Sequence, residues 1–136
     1  MSEKISEIFQ SIEDADTKNK KVKLLKKNDS FVLRTILQGN FNDDIKFGMP
    51  TGLPPLTELD GDTEVTILDD ELMKKICQTI DRKIHQWARE RTFTECINNL
   101  NEEERDIIIA MKDKTISELY PSITYELVKE VYPKIL

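Results

Sequence analysis

The side chains best suited to bond-making or ion binding in this sequence are few: the pair Asp43 and Asp44, His85, the thiols Cys77 and Cys96, and the acidic run Asp60, Asp62 and Glu64. Paired carboxylates can divide acid and base roles. Asp43 and Asp44, however, follow Asn42 in a turn-forming stretch, where adjacent acids ordinarily serve the turn and the solvent. No Ser, Cys or Asp stands at a spacing that would make a triad with His85, which reads as a surface or boundary histidine. The two cysteines lie far apart in apolar, helical patterns and read as reduced, buried thiols. With His85 they are too few for a zinc site. Counted from Asp60, the sixth place of a calcium loop would need glycine and is Val65, so this stretch reads as a solvated acidic loop. Four glycines in the whole chain leave no glycine-rich phosphate cradle, and no nucleophile elbow occurs. The expectation is a protein without catalytic residues, cofactor or metal, and not an enzyme.

Binding chemistry is better represented. Lys18, Lys20, Lys21 and Lys23, continued by Lys26 and Lys27, could present phosphate-binding charge. The plainer reading is a solvated helix side, because the run holds no arginine and no interleaved aromatic on which bases could stack. Arg82, Lys83, Arg89 and Arg91 surround Trp87. They suit the negative end of a helix dipole, and with the indole they could grip an acidic partner or rim a phosphate pocket. Lys18, Lys20, Lys21, Lys23, Arg82, Lys83, Trp87, Arg89 and Arg91 are the nine residues of the candidate site. The helix pair near the C-terminus invites a helix-turn-helix reading, but Tyr125, Glu126, Lys129, Glu130 and Lys134 are not a basic, base-reading set.

The net charge of −6 is unevenly spread. Residues 41–70 hold eight acidic side chains and one basic, so the middle connection carries the acidity. General attraction of nucleic acid by the whole surface is not expected. No stretch approaches the ~20 apolar residues that span a membrane. The start, MSEKISEIFQ, lacks the order of a signal peptide, which predicts a soluble intracellular protein.

Periodicity supplies the elements that must position these groups. Ile5, Ile8, Phe9 and Ile12 predict a first helix over 2–11. Asp16 or Thr17 caps a second helix ending near Lys27, and Ser30 caps a third over 31–38, with Gly39 as its stop. Residues 41–55 are turn-like and partly extended, and Leu53 to Leu56 could lay an apolar strap over the core. A short strand over 64–68 is conceivable. Asp69 or Asp70 caps the longest helix, to about Arg91, with Leu72, Ile76, Ile80 and Ile84 every four residues and Met73, Cys77 and Trp87 widening that face. Asn101 caps another helix with Glu104 at capping-box spacing. Its run Ile107 to Met111 implies contact from more than one side. Short helices follow over 115–120, with Ile116, Leu119 and Tyr120 inward, and from Thr124 to Pro133. The whole predicts one all-α domain over 1–136. It would be a compact bundle of about six helices around one long central helix: an N-terminal trio (1–40), a proline-rich acidic connection (41–68), the long helix (69–92) and a C-terminal unit (93–136).

KISEIF at 4–9, LLKKNDSFVLRTILQGNF at 24–41, IKFGMPTGLPP at 45–55 and AMKDKTISELYPSITYELVKEVYPKIL at 110–136 resemble the two ends of a family of small uncharacterised proteins of T4-like tailed phages, abundant in marine and cyanobacterial ones. The stretch 57–91 fits that pattern loosely, and Leu56 stands where the family has tyrosine. The resemblance implies a non-catalytic accessory protein in the cytoplasm of an infected host cell. It would act by binding a host or phage protein, in host takeover or evasion of host defence. A binder of nucleic acid or a signalling nucleotide, and a virion or assembly component, are the alternatives. Homo-oligomerisation stays open.

Overall fold

The computed structural model describes residues 4–52, 54 and 67–136, and among them the chain is all-α. Eight α-helices follow in order: α1 Ile5–Asp14, α2 Lys18–Lys27, α3 Phe31–Phe41, α4 Asp70–Gln78, α5 Gln86–Asn98, α6 Glu102–Asp113, α7 Ile116–Leu119 and α8 Tyr125–Val131, closed by a 3-10 turn at Pro133–Ile135. The expected strand over 64–68 falls mostly outside the described residues. Its last two positions, Ile67 and Leu68, are irregular.

Local chemistry starts most of these helices. The side chains of Thr17, Ser30, Asp69, Asn101 and Thr124 accept hydrogen bonds from the backbone N–H groups of Lys20, Leu33, Leu72, Glu104 and Leu127. Each fills a donor the helix cannot satisfy by itself. The capping box at α6 is only half formed. Glu104 turns away from Asn101, and its Oε1 accepts from the backbone N–H and hydroxyl of Ser6 in α1. Burial pushes the Glu104 carboxyl above its ordinary value, the Ser6 bonds opposing it.

The long helix expected over 69–91 is two helices. At 79–84 the backbone switches to short-range bonds: Thr79, Ile80 and Asp81 donate to Ile76, Cys77 and Gln78, and Ile84 donates to Asp81. The Thr79 hydroxyl donates to the Ile76 carbonyl and the Asp81 carboxylate accepts from the Lys83 N–H, both competing with helix continuation. The carbonyls released at the break are met by Arg89, as described below. The central helix is therefore α6, which packs against α1, α3, α5 and α7. Its Ile107, Ile108, Ala110 and Met111 are buried, as a run contacted from several sides requires.

Gly39 is not a helix stop. The third helix runs through it to Phe41, and a Cβ at Gly39 would stand 2.9 Å from Cγ and Sδ of Met111. The glycine lets α3 approach α6, its most extensive partner. The chain turns after α3 where Asn42 Oδ1 accepts from the Asp44 N–H. Leu119, expected inward, is exposed.

The end of α6 holds the connection that follows α3. Lys114 adopts φ 62° and closes a Schellman cap, with Thr115 donating to Ala110 and Lys114 to Met111. Three successive side chains then bind the end of α3 and the segment 42–52 that follows it, which forms the strap of the described structure. Lys112 donates to the Pro50 carbonyl at 2.7 Å and to Asp113. Asp113 accepts from the Gly52 N–H at 2.8 Å. Lys114 donates to the carbonyls of Gly39 and Asn42, at 2.9 and 3.0 Å. Burial pushes the Lys114 ammonium below its ordinary value. Pro54 is the one described residue of the expected strap Leu53 to Leu56.

Candidate functional site

The corner between α4 and α5 carries an exposed set of recognition side chains. Residues 81–87 are all exposed. Trp87, at the start of α5, has 60% of its surface in solvent and Ile84 is also exposed, so both leave the core stripe to which the sequence assigned them. The Arg91 guanidinium lies 5.2 Å from the indole centre, one turn along α5, and the His85 ring centre lies 6.4 Å from it, tilted by 42°. Cation–π contact of this kind holds both groups in place while leaving them in solvent. Arg91 also faces Glu95 at 3.8 Å, a surface pair of small energetic weight. Lys83 stands exposed in the same turn.

Arg82 and Arg89 both bond to the connection, Arg82 from the exposed face and Arg89 from the interior. Arg82 Nη2 donates to the Lys46 carbonyl at 3.1 Å. Its guanidinium lies against Gly48, whose φ of +65° and missing side chain make that approach possible. Arg89 is 5% exposed. Its Nε donates to the Ile84 carbonyl at 3.2 Å, and Nη1 to those of Phe47 and Thr79 at 3.0 and 3.4 Å. One guanidinium thus satisfies both sides of the helix break and pins the strap above it. As a contact for an acidic partner it is out of reach.

The lysines of α2 sit elsewhere, because α2 packs on α1 and α8 whereas α4 and α5 pack on each other and on α3 and α6. Lys18 faces Glu130 at 3.2 Å, Lys20 faces Asp16 at 2.8 Å, and Lys21 donates to the Ser122 hydroxyl at 3.1 Å. Lys23 is exposed. Three of the four candidate lysines thus have local polar partners, and the set does not join the arginine cluster.

Sequence reasoning passed over Ile84 and His85 as parts of the corner, since a four-residue apolar spacing hides a break that only tertiary contact produces. It also passed over the buried pair Lys112 and Asp113, whose side chains are 2% and 9% exposed. Two opposite charges directly after a continuous apolar run were the available signal.

The thiols are poor nucleophiles here. Burial raises both Cys77 and Cys96 above the ordinary value, and at Cys96 Lys75 only partly opposes it. Among the described residues, no group of three His, Cys, Asp or Glu side chains could hold a metal ion.

A model for a family of unknown function, DUF6433, matches residues 8–118, most of the chain. The chain belongs to the DUF6433 family. No curated protein and no solved structure matches it. In this DUF6433 protein the matched stretch takes in the α4–α5 corner, the described strap and all of α6, and it ends before α8. None of its described helices is long and apolar enough to cross a membrane.

Proposed function

We propose that this DUF6433 chain is a non-enzymatic accessory protein of a T4-like tailed phage. It acts in the host cytoplasm by binding a host or phage protein, in host takeover or evasion of host defence. The phage setting rests on the resemblance of the two chain ends. The binding reading rests on one observation: a tryptophan held in solvent at a helix corner by Arg91, with Ile84 exposed in the same corner. Tryptophan and arginine dominate the energetic centres of protein interfaces. Arg91 over the indole and Lys83 exposed in the same corner favour a partner whose contact face is acidic. The α2 lysines support the phosphate-binding alternative less well, because Lys18 and Lys20 already face carboxylates.

The test is affinity purification of tagged protein from infected cells, with Trp87→Ala in parallel. One dominant protein partner is expected, and Trp87→Ala should lose about tenfold or more of it, the effect of removing an interface centre. Because Trp87 is exposed, its stability should change by no more than about 0.5 kcal/mol. A partner retained at full level by the variant, or no partner above background, overturns the proposal. Nucleic acid recovered without a stoichiometric protein would favour the lysine face, and recovery of the chain in purified particles would favour a virion component.

A further inference from the structure

Between the strap and α5 lies a cavity of about 230 Å³. Met49, Pro50 and Pro54 wall it on the strap side and Phe93 on the helix side, with polar groups from Glu90, Thr94 and Lys112. An apolar cavity of about 150 Å³ takes benzene, so by the same ratio this one takes a ring with a short side arm, about nine heavy atoms.

The charges on its wall are not equivalent. Lys112 is closed off electrically: its ammonium is held by the Pro50 carbonyl and by Asp113, which cancels its charge. Glu90 and Thr94 line the cavity from α5, one helical turn apart. Among the described residues the Glu90 carboxylate has one side-chain partner, the neutral amide of Gln86 at 3.3 Å. The Thr94 hydroxyl donates to the Glu90 carbonyl, which leaves its oxygen lone pairs to accept. Arg89 and Arg91 are not among the cavity's lining residues: Arg89 bonds three carbonyls and Arg91 lies over Trp87. Of the two charged residues that line the cavity, Lys112 is paired with Asp113 and Glu90 has no cationic partner among the described residues, so the unpaired charge on its wall is negative.

We propose that this cavity binds a small apolar primary amine. Its body would pack against Met49, Pro50, Pro54 and Phe93, and its ammonium would donate to the Glu90 carboxylate and the Thr94 oxygen. The site does not depend on the docking corner.

Three probes share one body and differ in charge: phenethylamine, 2-phenylethanol and phenylacetate. Each is titrated into the isotopically labelled full chain while backbone amide shifts are followed. Phenethylamine should give saturable shifts at Gly52, Glu90 and Thr94. 2-Phenylethanol should bind about tenfold more weakly, the size of one charge-assisted hydrogen bond, and phenylacetate should be weaker still. Glu90→Gln should bring the amine down to the level of the alcohol and leave the alcohol unchanged. Thr94→Met, which fills the hollow, should abolish both. Equal binding of amine and alcohol, an amine affinity indifferent to Glu90→Gln, or shifts that never saturate would overturn the proposal.

Discussion

Arg89 shows what a single side chain does in this fold. A guanidinium buried without a carboxylate partner would be expensive, but here three carbonyls at the break and on the strap surround it. Those carbonyls depend on it equally. Arg89→Ala would leave the Phe47 and Thr79 carbonyls without this donor in the interior, at a cost of about 3 kcal/mol. Arg89→Lys should recover less than half of that, since one ammonium cannot reproduce the planar spread of Nε and Nη1. Urea denaturation of the two variants measures both numbers. A loss below about 0.5 kcal/mol for Arg89→Ala would mean that the short-range bonds of residues 79–84 hold the corner by themselves. The residue also marks a limit of sequence reading: a basic residue near an exposed tryptophan reads as a recognition group, and only the fold reveals that it points inward.

At the scale of elements, local signals were legible and long-range ones were not. Thr17, Ser30, Asp69, Asn101 and Thr124 each cap a helix within three residues of themselves, so the information lies where the structure is made. The continuous run in α6 announced its burial in the same way. The division of α4 from α5 needs Arg89 and the strap, brought together only by folding. Gly39 is the clearest case. A glycine after an apolar helix reads as a stop, yet its role is set by Met111, 72 positions along the chain. Gly39→Ala should gain up to about 1 kcal/mol of helix propensity and lose more to the displaced Met111, for a net cost of about 1 kcal/mol. In a Met111→Ala background the sign should reverse. Thermal melts of the four proteins of this cycle decide it. A stabilising Gly39→Ala in the native background would show that Met111 moves aside freely and that the glycine serves something else. Of the candidate site, Lys83, Trp87 and Arg91 were legible because charge and aromaticity are written in composition. The cavity beside Glu90 was not, because its walls come from three separate segments.

The whole molecule is closed by its last residues. The Tyr132 hydroxyl donates to the Leu25 carbonyl at 2.6 Å, and Asn42 Nδ2 donates to the Ile135 carbonyl at 3.0 Å. These bonds tie the C-terminal unit back to the N-terminal trio. Burial first, and then the negative charge of Asp29, push the Tyr132 phenol up to about 12, against about 10 in an unfolded chain. The folded state thus holds this proton more tightly. The stabilisation it brings is whole below pH 10 and is lost as the pH climbs from 10 to 12. Tyr132→Phe removes both the bond and the titration, so the stability gap between native protein and variant should narrow over that window. Thermal midpoints at pH 8, 10 and 11.5 follow it, and a gap independent of pH would refute the coupling.

The side chains of Lys112, Asp113 and Lys114, at the end of α6, reach back across 61 to 75 positions of sequence to hold the end of α3 and the strap. Loops of that length close slowly, and their closure must wait until α6 has found α3. The strap is therefore a late arrival in folding and an early departure in fluctuation. The Gly52 amide, whose acceptor is Asp113, times that departure: its hydrogen exchanges with solvent when the strap lifts and α6 stays folded. Exchange at Gly52 faster than at the core amides of α6 would give the rate at which the cavity beneath opens to a guest.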